Sequence, residues 1–359
     1  GWQRTRGLRI LGGGRNFTLD WPESSTFPSY GMVRTRTQFD HTLAQHAVSR
    51  GARLHEGTSV TAPLFDGRGR VTGVTAKLLD GAGRPTGQTA SYRAKVVVAA
   101  DGVSSRLATA VGRPKREDRV MGVAVRAYYT TPRRDDYLES HLELWTTDDN
   151  GQRMLMPGYG WLFPLEDGRT NVGLGILDTS SAFGKTDYKD VLRRWADSLG
   201  DRWELAHDPA GGPIRGAALP MGFNRTPLYA DGLLLVGDAA GMVNPFNGEG
   251  IDYALEAARV GADVIGQALA RPTDAGRERV LAAYARIMKH ELGGYFTLGR
   301  WFAHAIGNPE VMRLATTYGL PRTALMRFLL KVMANLPEEH GGRFDDRLVH
   351  LMSRIVPDA

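Results

Sequence analysis

The sequence predicts an α/β protein: a doubly wound domain that takes a ligand at its strand ends, an inserted antiparallel-sheet domain, and a helical carboxyl-terminal region. Three observations predict it. Residues 95–100 and 233–236 are short runs, centred on Val96-Val97-Val98 and Leu233-Leu234-Leu235, of the apolar kind buried on both faces of a parallel sheet. Between them, residues 119–221 alternate long strand-like segments with polar turns. Beyond residue 272 the pattern is helical, broken at Pro309, Pro321 and Pro337.

With 359 residues, 42% hydrophobic and 23% charged, the chain has the make-up of one large or two intimate globular domains, which excludes a disordered or fibrous protein. It contains no cysteine, so disulfides, thiolate nucleophiles and cysteine-held metals or iron–sulfur clusters are excluded. The nine His residues show no HExxH or HxH spacing, so no metal is expected. A net charge of +6 permits an anionic partner without identifying one, and nothing marks a nucleic-acid site. No apolar run reaches the ~18 residues of a membrane span, and no charged-then-apolar leader opens the sequence. The cytosol is the expected setting.

Taken in order, Leu8/Ile10 and Phe17/Leu19 alternate around Gly12-Gly13-Gly14, which predicts a hairpin over 8–20. Phe39, Leu43, Ala47 and Val48 recur at helical spacing before Gly51, which predicts a helix over 37–50. Strands are expected at 52–56, 69–79 and 95–100, with turns at Asp66-Gly67 and Asp80-Gly81-Ala82-Gly83. In the next block 120–130, 141–146, 154–164 and 171–177 read as strands of a mostly antiparallel sheet, with one helix near 186–199. A long helix is expected over 249–269.

Chemistry concentrates in Leu233-Leu234-Leu235-Val236-Gly237-Asp238-Ala239-Ala240-Gly241 and the following Asn244-Pro245-Phe246-Asn247-Gly248-Glu249-Gly250-Ile251. A buried strand ending in Gly237-Asp238 delivers a carboxylate to the sheet edge where α/β ligands sit, and a carboxylate suits a sugar hydroxyl. Gly248-Glu249-Gly250 then opens a helix whose unpaired N–H groups and positive end favour a developing anion. Asp238 is equally the residue type that caps a following helix. Asp101-Gly102 follows the other apolar run, with Gly102 free to let a dinucleotide backbone approach. Strand alternation sends Tyr159, Trp161 and Phe163 to one face as an aromatic wall suited to a polyprenyl chain; such a ladder is also ordinary core content.

Together these strings resemble the FAD-dependent fold shared by aromatic hydroxylases and geranylgeranyl reductases. The resemblance implies FAD as cofactor, with Gly237, Asp238, Gly248, Glu249, Gly250 and Ile251 at the flavin. It places Asp101 and Gly102 in the second fingerprint. Arg36, in Arg36-Thr37-Gln38-Phe39-Asp40, would bridge the pyrophosphate, and Val60 would meet adenine. Tyr159-Gly160-Trp161-Leu162-Phe163-Pro164 is similar to the substrate-side motif of geranylgeranyl reductases rather than the Trp-x-Trp-x-Ile-Pro of flavin halogenases. Phe27-Pro28-Ser29-Tyr30-Gly31, Ser140-His141-Leu142-Glu143-Leu144, Ala218-Leu219-Pro220-Met221-Gly222 and Thr323-Ala324-Leu325-Met326 resemble the actinobacterial menaquinone reductases, which saturate one isoprene unit of the menaquinone tail. A flavin-dependent oxidoreductase is thus expected, with flavin N5 as hydride donor and Tyr159 as a candidate acid. Flavin-dependent monooxygenation on the same fold, or a non-catalytic membrane-associated fragment, are the alternatives.

The resemblance implies a domain plan: 31–112 plus 225–272 binding FAD, 1–30 plus 113–224 binding substrate, and 273–359 forming a helical cap. The family opens with a strand and G-x-G-x-x-G that this sequence lacks. Either the chain is a piece of a longer protein, the reading preferred here, or FAD binding is compromised. Residues 286–331 hold Arg286, Lys289, Arg300, Arg313, Arg322, Arg327 and Lys331 against Glu291 and Glu310, interleaved with Trp301, Phe302, Leu325, Phe328, Leu329 and Met333. That suits either a peripheral contact with the anionic inner face of the cell membrane or a packed cap with solvated Arg residues.

Overall fold

The computed structural model describes the chain except for residues 24–27, 148–149, 157, 181–182, 209–210, 307–310, 312–313, 320 and 334–359. Phe27, Pro309, Glu310, Arg313 and Pro337 of the sequence reading lie outside the described residues. Among the described residues the chain divides into two compact units, the first drawing on 1–46, 121–218 and 302–333, the second on 47–120 and 219–301.

The first unit is built on an eight-stranded sheet. The hairpin of Gly7–Gly12 and Arg15–Asp20 turns at Gly13 and Gly14, whose φ of 57° and 69° are those a two-residue hairpin turn demands. Gly7–Gly12 runs parallel to Tyr137–His141, and from there Tyr159–Pro164, Arg169–Leu177 and Met121–Thr130 follow in antiparallel order. The two ends of the expected 141–146 and 154–164 strands part company. Leu144–Thr147 pairs with Arg153–Met156 in a separate ribbon, and only Tyr137–His141 and Tyr159–Pro164 enter the main sheet. Gly158 stands beside this break at φ 103°, where a Cβ would meet the Gly175 carbonyl oxygen at 2.5 Å.

One face of this sheet is its core. Leu162, Val172 and Leu174 pack with Leu144 against the helix Tyr188–Ser198, which buries Val191, Leu192, Trp195 and Ala196 and is capped by Asp187 accepting from the Lys189 and Asp190 amides. Within the same face lies a fully buried carboxylate. Glu139 accepts hydrogen bonds from Arg9 Nη1 (3.0 Å), Arg202 Nη2 (3.0 Å) and Trp203 Nε1 (3.1 Å), and pairs with His141 Nε2 at 2.8 Å. Asp135 shares Arg9 and also takes Arg133. At the far end, the helix Thr323–Met333 buries Met326 and Leu330 against Ile10 and Leu19.

In the second unit Val97–Ala99 and Leu233–Leu235 lie side by side in parallel, with Tyr229–Ala230 antiparallel to the latter. The helix Ile251–Leu269 rests closely on them, since a Cβ at Gly261 would meet Leu234 at 3.5 Å, and Tyr284 donates its hydroxyl to the Leu235 carbonyl at 2.9 Å. Thr58–Phe65, Val71–Leu79 and Pro85–Arg93 form a meander. The expected 52–56 strand is absent: Arg53, His55 and Glu56 offer nothing to bury, and the chain joins the sheet only at Thr58. Pro85–Arg93, unanticipated, is a polar and largely exposed strand without the apolar alternation that signals one. Among the described residues no helix is long and apolar enough to cross a membrane.

Burial alone pushes the Glu139 carboxyl up, but the His141 hydrogen bond, the charges of His141 and Arg202 and the Arg9 hydrogen bond outweigh it and hold the group below its ordinary value. A depressed acid stabilises the fold above its unfolded pKa and stops doing so as pH falls through the folded one. Glu139→Leu should therefore cost up to about 3–5 kcal/mol in chemical denaturation at neutral pH, because it takes the shared acceptor from Arg9, Arg202, His141 and Trp203. That deficit should shrink as the pH is lowered beneath the ordinary glutamate value of 4.5.

Candidate functional site

The two parallel strands of the second unit end in register, Leu235 opposite Ala99, and the Val236 amide donates to the Ala99 carbonyl at 3.1 Å. Both acidic turns, Asp101-Gly102 and Gly237-Asp238, therefore leave the same carboxyl edge, the ligand side of open α/β sheets. Gly237 has φ 56°, which few other residues tolerate, and opens a single 3-10 turn, Gly237–Ala239. Asp238 is directed at the start of Ile251–Leu269: its Oδ1 would stand 3.3 Å from a Cβ on Gly250. That helix begins at Gly250 without a side-chain cap.

Asn244 pins the intervening loop. Fully buried, it donates through Nδ2 to the hydroxyls of Tyr253 and Tyr295, each at 3.1 Å, and accepts the Phe246 amide through Oδ1 at 2.9 Å. Its own amide donates to the Glu249 carbonyl at 2.7 Å and its carbonyl accepts the Gly248 amide at 2.9 Å. The sequence reading quoted Asn244 only as part of a loop; a buried Asn with both amide atoms and both backbone groups used is what holds Gly248-Glu249-Gly250 in place.

Asp101 is occupied differently. It accepts the Ser105 hydroxyl at 2.6 Å and the Leu107 amide at 3.2 Å, while Ser105 caps the helix Arg106–Ala110 through the Ala108 amide. The carboxylate shapes the turn and leaves Gly102, at φ 76° with open space where a Cβ would point, as the approachable backbone. Buried Arg225 braces this turn by donating to the Val103 carbonyl at 3.0 Å, a part no local sequence signal announces. Val60 lies on Thr58–Phe65 at a bulge, where the register against Val71–Leu79 slips between Val60 and Ala62. Arg36 belongs to the first unit, at the first residue of the helix Arg36–Ser49, and its exposed guanidinium pairs with Asp40.

The aromatic residues are also in the first unit. Along Tyr159–Pro164, Gly160, Leu162 and Pro164 face the core, so Tyr159, Trp161 and Phe163 form a row on the opposite face and are half-buried. Ring centroids are 6.1 Å apart for Tyr159 and Trp161 and 6.2 Å for Trp161 and Phe163, the latter pair stacked at 29°. Gly175 and Gly173 stand opposite Tyr159 and Trp161 in the neighbouring strand, and a Cβ at Gly173 would overlap the Trp161 ring. Desolvation pushes the Tyr159 hydroxyl up to about 12, so it keeps its proton near neutrality and serves better as a hydrogen-bond donor than as a cycling acid.

Two acids flank the helix start. Desolvation and the neighbouring Glu249 carboxylate push Asp252 up to about 7, and desolvation pushes Glu249 upward as well. Asp252 was not singled out from the sequence, where it reads as an ordinary first-turn acid. An acid raised on folding costs stability as pH rises from its unfolded value to its folded one. Asp252→Asn should thus gain on the wild type between pH 3.8 and about 7 and level off above, read as the difference in unfolding free energy across a pH series. A flat difference would show that folding does not raise the Asp252 carboxyl.

The residues of the second unit suit FAD: small buried Ala239 and Ala240, a carboxylate placed for a sugar hydroxyl, and an uncapped helix start for an anionic ring edge. The comparisons agree. The family described as FAD binding domain matches residues 14–289. Menaquinone reductase of Mycobacterium tuberculosis is 34% identical over 335 residues, 93% of this chain and 75% of the relative, and that of Mycolicibacterium smegmatis is 32% identical over 93% and 76%. Digeranylgeranylglycerophospholipid reductase 2 of Methanopyrus kandleri is 32% identical, covering 67% of this chain and 57% of the relative. Among solved structures, a geranylgeranyl bacteriochlorophyll reductase-like protein of Thermoplasma acidophilum superposes with a TM-score of 0.72 at 19% identity, covering 98% of this chain and 83% of the other. The fold is also that of the myxobacterial halogenase CndH, with a TM-score of 0.65 at 22% identity over 99% and 82%. A flavin-dependent oxidoreductase using FAD, the chain belongs to the FAD-binding family that contains the geranylgeranyl and menaquinone reductases.

Proposed function

We propose that this protein saturates a carbon–carbon double bond of an isoprenoid chain, and that its substrate is the side chain of menaquinone. The observation that carries the reading is the row Tyr159, Trp161 and Phe163, laid on the sheet face turned away from the core and backed by glycines. Such a surface gives each isoprene unit broad apolar contact. The two mycobacterial relatives are named for menaquinone reduction, which supports the narrower substrate. When bound, FAD supplies the hydride equivalent such a reduction consumes.

The chain's own part is positioning. Asp238 holds a flavin sugar hydroxyl, the first turn of Ile251–Leu269 offers its amides, and the aromatic row fixes the tail and keeps water from it. An isolated alkene accepts hydride poorly, so alignment to within about 3.5 Å of the donor is decisive. We place the membrane contact on Thr323–Met333, which turns Leu325 and Arg327 outward while Met326 and Leu330 are buried.

Incubating the reduced, FAD-containing protein with menaquinone should yield a product heavier by two hydrogens; gain of one oxygen would replace this reading with monooxygenation. Trp161→Ala should cut turnover strongly while FAD content holds. Asp238→Ala should weaken FAD binding about ten- to a hundredfold, the worth of a charged hydrogen bond of roughly 1.5–3 kcal/mol. Loss of FAD in Trp161→Ala would return that ring to a packing role. Vesicle co-sedimentation should favour anionic over neutral lipid and fall when Arg322, Arg327 and Lys331 are changed together to Gln, at about 1 kcal/mol per basic group. Equal binding to neutral vesicles would refute the electrostatic contact.

A further inference from the structure

Two polar side chains of the first unit share a sheet face with the aromatic row. Val125, Ala127 and Val172 belong to the core, so alternation turns Arg126 and Asn171 to the face that carries Trp161 and Phe163. In register, Arg126 stands opposite Gly173 and Gly173 opposite Trp161. Gly173 has no side chain to stand between them, and the indole leans over it, since a Cβ there would overlap the ring. Two residues along, Tyr128 stands opposite Asn171 and Asn171 opposite Phe163.

Neither polar group is matched. The Asn171 side chain makes no hydrogen bond among the described residues, and its Oδ1 is closed off from solvent. A buried amide oxygen is ordinarily hydrogen-bonded, and leaving it bare works against the fold. The half-buried Arg126 guanidinium lies over the Tyr128 ring, 4.9 Å from its centroid, and has neither a carboxylate nor a hydrogen-bond acceptor among the described residues. The other guanidinium on that ring, Arg169 at 5.5 Å, is paired with Asp167 and Asp208.

We propose that Arg126 and Asn171 hold the oxygen-bearing ring of a quinone whose prenyl tail lies along the aromatic row. Charge selects this head: a phosphate monoester brings close to two negative charges, and of the two guanidiniums on Tyr128 only Arg126 is unpaired. A neutral ring carbonyl, by contrast, is satisfied by one guanidinium N–H. Asn171 offers Nδ2 to the carbonyl of a quinone or, with its amide turned over, Oδ1 to the hydroxyl of the reduced ring. Tyr128 and Phe163, on either side of Asn171, suit a flat ring. The subsite rests on the isoprenoid reading of this face and adds the head group to it.

The ring without its tail, 2-methyl-1,4-naphthoquinone, is the probe, and equilibrium dialysis against the full chain should show saturable binding. Arg126→Gln should weaken it about tenfold or more and Asn171→Leu about two- to tenfold, the worth of a charged and of a neutral hydrogen bond. Should Arg126→Gln fail to fold by circular dichroism, Asn171→Leu decides alone; it removes a bare polar atom and should resist denaturant at least as well as the wild type. No saturable binding by the wild type, or equal binding by the folded variants, overturns the subsite. So does an Arg126→Gln that keeps the naphthoquinone and loses geranylgeranyl phosphate, which would assign Arg126 to a phosphate head. Saturation of the double bond is read separately, from product mass, so either reading can fail alone.

Discussion

The buried charge of Glu139 decides how the first unit is assembled. A carboxylate removed from water has to be met on all sides, and here, besides His141 two residues along its own strand, the donors come from remote points of the chain: Arg9 in the opening hairpin, and Arg202 and Trp203 beyond the Tyr188–Ser198 helix. A slip of one residue in Tyr137–His141 would turn Glu139 to the other face and leave those donors unmet. The register is therefore fixed on both sides, with Leu162 opposite Glu139 in one neighbour and Arg9 in the other. Once Leu162 faces the core, Tyr159, Trp161 and Phe163 must face away from it. The aromatic row owes its orientation to an ion pair network on the opposite side of the sheet.

In the second unit the comparable constraint is the shared end of two short parallel strands. Neither Val97–Ala99 nor Leu233–Leu235 is long, and arginine rather than strand length ties their surroundings together. Arg113 donates to the carbonyls of Pro227, Ala230 and Leu233, and Arg225 to those of Arg113 and Val103. These guanidiniums satisfy carbonyls that loops would otherwise bury unpaired. Gly237-Asp238 and Gly102 are thereby presented from a rigid edge.

Legibility followed the range of the interaction. The hairpin, the Tyr188–Ser198 helix, the parallel strands and the Gly-Asp string are written in a few neighbouring residues, and the sequence disclosed them. The aromatic row could be placed on one face by alternation, but which face was core could not, because that depends on Glu139 and its distant partners. Strand ends failed where a local break such as Gly158 interrupts an otherwise apolar run, and Pro85–Arg93 escaped because an exposed strand needs no apolar alternation. Arg113 and Arg225 went unremarked, and Asn244 was read only as part of a loop, for a common reason: a buried polar residue reads as a surface one until its partners are known.

Asp101 and Asp238 show how one textual signal yields two physical roles. Each follows a buried apolar strand and sits beside a glycine. Ser105 lies four residues beyond Asp101, on a short helix that starts at once, so both carboxylate oxygens are drawn into the turn. After Asp238 the chain instead runs through a single 3-10 turn and the Asn244 loop before its helix begins at Ile251. The carboxylate thus meets the helix start from across the loop, against Gly250, rather than as the adjoining cap. Distance along the chain to the next helix separates the two: a near helix claims the acid for its own amides, whereas a distant one meets the acid across a loop, side chain against glycine.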